Sequence, residues 1–476
     1  QSLCAMALLP LLKKRLGRSL FLPAHGRGQA LPKVFKRLLR QRAGAWDLPE
    51  LAEIGGPLER HGAVGESQRE SAAAIGADHC WYGVNGATGL LQAALLAIAQ
   101  PGDAVLMPRN VHRSLIQACV LGDITPILYN VPYSNKYGHA TQPDCDWMQC
   151  ILNELPTDKK RIKAAVLIHP TYQGYAKDPS KIIQLLQSQN LVVLVDEAHG
   201  SYFAAKVDPD LPVSALHCGA DLVVHSLHKS AAGIAQTAVL WQKGQRVDPE
   251  QINRCLGWLQ TTSPSSLLLA SCESAIQEWT NPKGINELKR RINEGRLLAE
   301  KLRQSGIPLI TNQDPLRLIL HTGSIGLNGL EADEQFMQRG LIAELPEPST
   351  LTFCLGMAKH EGLYRHLKNA WKDIESTTLD KTPQPIFSNP PLPLVREPEV
   401  KLSTAWTAEN RIVSIENAEG EIASELVCPY PPGIPLLIPG EKIDHARVKW
   451  LIEQSIDWKN AVPNEIKVML NATDNS

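Results

Sequence analysis

The 476-residue chain lacks the features that mark several protein classes. Its ten cysteines include no CxxC pair and no Cys/His grouping at zinc-ligand spacing, which argues against a disulfide scaffold or a structural zinc module. Scattered thiols in a chain this long point to a reducing compartment, so a cytoplasmic location is expected. Charge of one sign is not in excess, with 48 Lys and Arg against 49 Asp and Glu. No global field is available to hold nucleic acid or an anionic membrane, and neither partner is expected. The apolar run at residues 5–12 is far too short to span a bilayer. Lys13, Lys14 and Arg15 follow that run, whereas a signal peptide carries its charges in front. The chain also lacks a GxxxxGK[ST] phosphate loop, an internal repeat and any low-complexity tract.

What is present is the composition of a globular protein, 43% hydrophobic and 20% charged, long enough for two or three units. Between residues 71 and 245, short apolar runs alternate with helical patterns. Residues 104–107, 164–168, 191–195 and 222–224 read as buried strands, and residues 89–99 and 180–189 as helices. That alternation predicts an α/β fold with a mostly parallel sheet sandwiched by helices. We expect an N-terminal segment over 1–70 and a large domain over 71–305. A smaller α+β C-terminal region follows over 306–476, with a Pro-rich linker or surface arm near 378–400.

Ligands of such sheets sit beyond the carboxyl ends of the strands, so the residues after each strand carry the chemistry. After strand 191–195 comes Asp196-Glu197-Ala198-His199-Gly200, which taken alone also reads as a helix cap and its capping Glu. After strand 222–224 comes His225-Ser226-Leu227-His228-Lys229-Ser230. A desolvated lysine there is competent for Schiff-base formation, although most loop lysines are solvated charges. Upstream, Asn85-Gly86-Ala87-Thr88-Gly89 precedes a helix and is either a phosphate cup or an ordinary Gly-rich turn. After strand 104–107, His112 could stack on a flat ring or be merely structural. A phosphate cup, a ring-facing His, a strand-end Asp and a strand-end Lys together match the needs of pyridoxal 5′-phosphate.

These residues resemble the fold type I, pyridoxal-phosphate-dependent ornithine/lysine/arginine decarboxylases over nearly the whole chain. Residues 21–28 (FLPAHGRG) resemble the family's PGHKxG stretch, 85–88 (NGAT) its NGTS and 109–114 (RNVHRS) its RNxHKS. Residues 169–174 (HPTYQG) resemble STYxG, 226–229 (SLHK) STHK, and 259–264 (LQTTSP) the TTSP stretch. Residues 430–441 (YPPGIPLLIPGE) resemble the long C-terminal signature YPPGIPLxxPGE. The departures are Ala24, Gly26, Ala87 and Leu227, and none of them touches the Asp, the Lys or the stacking His.

The resemblance implies decarboxylation of arginine, lysine or ornithine to the amine and CO2, within polyamine biosynthesis. Lys229 would form the Schiff base and Asp196 would keep the pyridine nitrogen protonated. His112 would stack on the ring, and His199 would lie near it. Thr88, Ser226 and His228 would bind the phosphate, with Ala87 contributing backbone only. Thr262 or Ser263 would reach the neighbouring subunit's phosphate, so a homodimer or higher homo-oligomer with shared sites is expected. The chain is shorter than the family's inducible bacterial enzymes, which carry an extra N-terminal domain, so their decameric assembly is not expected. His112, His228 and Lys229 are the candidate acids for protonation at Cα. Glu344 and Glu441 are candidate carboxylates for the basic end of the substrate, with a surface role equally open for Glu344. An aminotransferase-like enzyme and a silent paralogue are the alternatives. The C-terminal signature speaks against the first, and the presence of Lys229 against the second. No metal is expected.

Overall fold

The computed structural model describes residues 12, 17–49, 51–156, 158–378, 387–429, 434–457 and 462–470. Its centre is an eight-stranded sheet. In chain order we label β1 (His79–Gly83), β2 (Ala104–Pro108), β3 (Thr125–Tyr129), β4 (Ile162–Ile168), β5 (Val192–Asp196), β6 (Leu222–Ser226) and β7 (Ala238–Gln242). The order across the sheet is Val395–Arg396, β3, β2, β4, β5, β6, β7, β1. The run from β3 to β6 is parallel, and antiparallel pairs flank it on both sides.

The parallel strands are apolar on successive residues because both faces are covered. Ala104 and Leu106 join one core cluster, whereas Val105 and Met107 join the other. Val193 and Val195 likewise face away from Leu194. Helices Gly86–Ile98, Arg113–Gly122 and Pro249–Leu259 cover one face. Helices Gly62–Ile75, Ser180–Ser188 and Ser266–Gln277 cover the other. The sandwich expected from the alternating pattern is thus built as a mixed sheet with a parallel centre.

The described residues after 306 form more than one packed unit. A four-stranded antiparallel sheet spans Leu309–Ile310, Arg317–His321, Leu345–Pro346 and Thr350–Cys354, with helices Gly329–Gln338 and Leu363–Thr377. Beyond it, Val413, Ile415, Leu437, Leu451 and Ile466 form a separate core. The Pro-rich stretch does more than link: Val395 and Arg396 pair with Tyr129 and Leu128 and extend the main sheet by an edge strand. Pro383 and Pro385, and Tyr430 to Gly433 of the C-terminal signature, lie outside the described residues.

Candidate active site

The carboxyl ends of the parallel strands converge on one crevice. Asp196 is the last residue of β5, in register with Ile168 of β4 and Val224 of β6. Ser226 ends β6 and leads into the short helix Leu227–Ser230 that carries Lys229. His112 caps helix Arg113–Gly122, which follows β2. Four residues past Asp196, the chain turns at Gly200. A Cβ at that position would lie 2.5 Å from Pro170 Cδ, so the DEAHG turn packs directly on the loop after β4.

Lys229 Nζ lies 3.2 Å from His199 Nε2. Burial lowers the lysine pKa; the carboxylates of Asp196 and Glu344 oppose that shift and Arg317 adds to it. His199 is nearly buried, with its Nδ1 3.3 Å from Arg317 Nη2 and its ring 4.2 Å from the Tyr172 ring, centroid to centroid. Burial, followed by the charges of Lys229 and Arg317, pushes its pKa well below the ordinary value. Tyr172 in turn donates its hydroxyl proton to Glu344 Oε1, and Leu22 N–H donates to Glu344 Oε2 at 2.8 Å. Glu344 is therefore a fixed, half-buried carboxylate within electrostatic reach of Lys229.

The two remaining imidazoles differ in where their proton sits. His112 Nδ1 accepts from Ser114 N–H at 3.3 Å, so a neutral His112 carries its proton on Nε2. His228 Nδ1 faces the Thr237 carbonyl at 3.3 Å, which can only accept, so its proton sits on Nδ1. Burial lowers both, His228 to about 4. For His112, the charge of Asp196 opposes the shift.

The chain's donors fit pyridoxal 5′-phosphate. Helix Gly86–Ile98 starts on Gly86 at φ +65°, with Ala87 and Thr88 in its first turn. Its N-cap Asn85 makes no side-chain cap bond, which leaves first-turn N–H groups and the helix dipole to a ligand anion. Ser226 Oγ lies 3.1 Å from His228 Nδ1, so the expected phosphate residues on β6 and its helix are adjacent. The Asp196 carboxylate accepts from Ala198 N–H at 3.2 Å and faces the same crevice as Lys229 and His112.

Other expected residues fall elsewhere. Thr262 and Ser263 are exposed, on a loop just past helix Pro249–Leu259. Glu441 is not a pocket carboxylate in this structure. It is fully buried and grips Arg109 at 2.9 and 2.5 Å, with Arg447 at 3.3 Å and Ile438 N–H at 2.9 Å. A carboxylate so enclosed has no edge left for a substrate, and it ties the C-terminal signature to the loop after β2. Glu197, beside Asp196, is likewise internal: it accepts from Ser214 Oγ at 2.7 Å and from His225 Nε2 at 3.1 Å. Sequence reading gave no role to Tyr172 or Arg317. The signal for Arg317 is a single charge in the apolar run Leu316–Leu320, which demands a buried partner.

A sequence model of the Orn/Lys/Arg decarboxylase major domain matches residues 14–329, and one of that family's C-terminal domain matches 384–464. The arginine decarboxylase of Bacillus anthracis is 28% identical over 446 residues, covering 90% of this chain and 88% of the relative. That of Bacillus subtilis is also 28% identical, over 91% of this chain and 89% of the relative. Among solved structures, the constitutive lysine decarboxylase of E. coli superposes with a TM-score of 0.75 at 17% identity, over 92% of this chain and 77% of that one. The aspartate aminotransferase of Thermus thermophilus superposes at 0.53 with 16% identity, over 73% and 93%, so the fold is that of fold type I enzymes. With its major-domain model matching well over half of the sequence, the chain belongs to the Orn/Lys/Arg decarboxylase family.

Proposed function

We propose that this chain decarboxylates arginine to agmatine and CO2, with pyridoxal 5′-phosphate as its cofactor. Pyridoxal-phosphate-dependent decarboxylation of a basic amino acid is the family's reaction. The choice of arginine is supported by relatives: the arginine decarboxylases match at 28% identity over about nine tenths of both chains. The inducible lysine decarboxylase of E. coli matches at 22%, over 67% of its length. The observation that carries the reading is Lys229, a half-buried amine 3.2 Å from His199 and within electrostatic reach of the strand-end carboxylate Asp196.

Bound pyridoxal phosphate supplies the electron sink for the pair released when the carboxylate departs. Lys229 would hold its aldehyde and Asp196 its ring nitrogen. Thr88, Ser226 and His228, with the Ala87 backbone, would hold its phosphate. His112 and His199 would bound its ring on the crevice side. Of the candidate acids, His112 offers an Nε2 proton while neutral, whereas the proton of His228 is held at Nδ1 by Thr237. Glu344 would receive the basic end of the substrate. Residues 71–305 would form the cofactor-binding unit.

The working unit would be a cytoplasmic homodimer in polyamine biosynthesis, its second copy covering the Thr262–Ser263 loop and the neighbouring Trp258. That tryptophan is 92% exposed in the single chain. Among the described residues, no helix is long and apolar enough to cross a membrane.

The test is amine product, by mass spectrometry, from protein with pyridoxal phosphate and equal arginine, lysine and ornithine. Agmatine alone is expected. Cadaverine or putrescine alone would overturn the choice of arginine, and no amine would overturn decarboxylation.

A further inference from the structure

We infer that Arg317 is a positioning residue: through His199 it sets where the imidazole proton sits and thereby keeps the Lys229 amine neutral. The inference deepens the reading of Lys229 as the amine that takes the cofactor's aldehyde, and rests on it.

Three observations carry it. Arg317, the first residue of strand Arg317–His321, is buried, and a guanidinium can donate but never accept. Its Nη2 lies 3.3 Å from His199 Nδ1, so Nδ1 must be the unprotonated, accepting nitrogen. A neutral imidazole has one ring proton, which then sits on Nε2. His199 Nε2 lies 3.2 Å from Lys229 Nζ. With Nε2 as the donor, Nζ must accept, and only a neutral amine has the lone pair to do so. An ammonium at that position would turn N–H against N–H.

The surroundings close the other routes. A second proton on His199 would put a cation among Lys229, Arg317, His112 and His228 in a buried site. The Tyr172 ring, 4.2 Å away and tilted by 46°, braces the imidazole on the other side. Facing Lys229, Asp196 and Glu344 favour the ammonium, while burial and Arg317 favour the amine. Burial pushes the nearby Cys354 thiol up to about 12, so it carries no charge at neutral pH. Two carboxylates so close would otherwise hold an ordinary lysine charged. The fixed Nε2–H donor tips this balance toward the nucleophilic form.

The test uses the cofactor-free protein and reads Lys229 directly. Trace acetylation, quantified on the Lys229 peptide by mass spectrometry across pH 6–11, gives the pH midpoint of the free amine. The wild type is expected to have a midpoint below the ordinary lysine value of about 10.4. Arg317→Met should raise that midpoint by about one unit, which lowers labelling at pH 7.5 by up to about tenfold. Arg317→Lys should restore at least half of that loss. His199→Phe, which keeps Arg317 but removes the Nε2 donor, should also raise the midpoint. An unchanged midpoint in Arg317→Met overturns the inference. So does a His199→Phe midpoint equal to wild type, because Arg317 would then act by charge alone. Should Arg317→Met not fold, nitrogen-15 shifts of His199 in the wild-type apoprotein decide: a protonated Nδ1 overturns the relay, and a protonated Nε2 supports it. Failure of the underlying reading has a different signature, a cofactor absorbance that survives Lys229→Ala.

Discussion

The Glu441 carboxylate lies on the Arg109 guanidinium at 2.9 and 2.5 Å, across 332 residues of sequence, with both side chains almost wholly buried. Burial alone would push the carboxyl pKa up. The guanidiniums of Arg109 and Arg447 outweigh that and hold it below its ordinary value. Removing one partner of a buried pair typically costs about 3–5 kcal/mol, because the other charge is left uncompensated. Glu441→Gln should therefore lower the unfolding midpoint and leave KM for arginine unchanged. The folded carboxyl is the more acidic one, so its contribution is full above about pH 4.3. It is lost as pH falls through the folded value. The stability gap between wild type and Glu441→Gln should accordingly narrow in acid, as followed by urea unfolding at pH 7 and pH 3.5. A raised KM with unchanged stability would return Glu441 to the pocket.

Lys229 carries a stability cost of its own. Its folded pKa is depressed, chiefly by burial, so between that value and about 10.4 the unfolded chain binds more protons than the native one. In that window wild-type apoprotein gains stability as pH rises, and at neutral pH the lysine is a net burden. Lys229→Met should abolish cofactor absorbance and amine formation. It should also raise the melting temperature of the apoprotein at pH 7 by about 2 °C. The gain should shrink toward pH 10. A melting temperature lowered at pH 7 would contradict the burial argument.

Glu344 separates two roles by a kinetic split. Its oxygens already accept from Leu22 N–H and Tyr172 O–H, and each keeps a further lone pair for a guanidinium. A charge-assisted hydrogen bond is worth about 1.5–3 kcal/mol. Glu344→Gln should then raise KM for arginine by about tenfold or more, with the smaller effect on kcat. A lowered melting temperature with unchanged KM would make Glu344 only a tether for the segment around Leu22.

Much of this was legible in the sequence, and the rest was hidden for identifiable reasons. β2, β4, β5 and β6 are built on short apolar runs at 104–107, 164–168, 191–195 and 222–224, covered on both faces, so the ends of those runs located Asp196, Lys229 and His112. β1 begins with His79 and ends with Gly83, and β3 contains Pro126, so neither resembles a central strand by composition. Val395–Arg396 is two residues long, and only its pairing with β3 makes it a strand. Site residues were legible where a motif sat on a strand end. Arg317 and Tyr172 act through His199, and no local spacing joins residues 172, 199 and 317. Glu441 was misread for the same cause: its carboxylate has a chemical reason to exist, but that reason is Arg109, far away in sequence.

The proposed dimer makes the last prediction. Trp258 lies near the end of helix Pro249–Leu259, four residues before the exposed Thr262, and 92% of it is accessible in the single chain. A tryptophan at the centre of an interface is commonly worth about 2 kcal/mol or more, and a buried carboxylate without a partner adds to the cost. Trp258→Glu should therefore weaken self-association by well over tenfold, read by sedimentation velocity across a dilution series. If Thr262 or Ser263 reaches the phosphate in the other copy, pyridoxal phosphate affinity must fall in step with dissociation, although no cofactor residue has been altered. Affinity that holds while the dimer falls apart would show that each chain completes its own site. An unchanged sedimentation profile would place the contact between copies on another face.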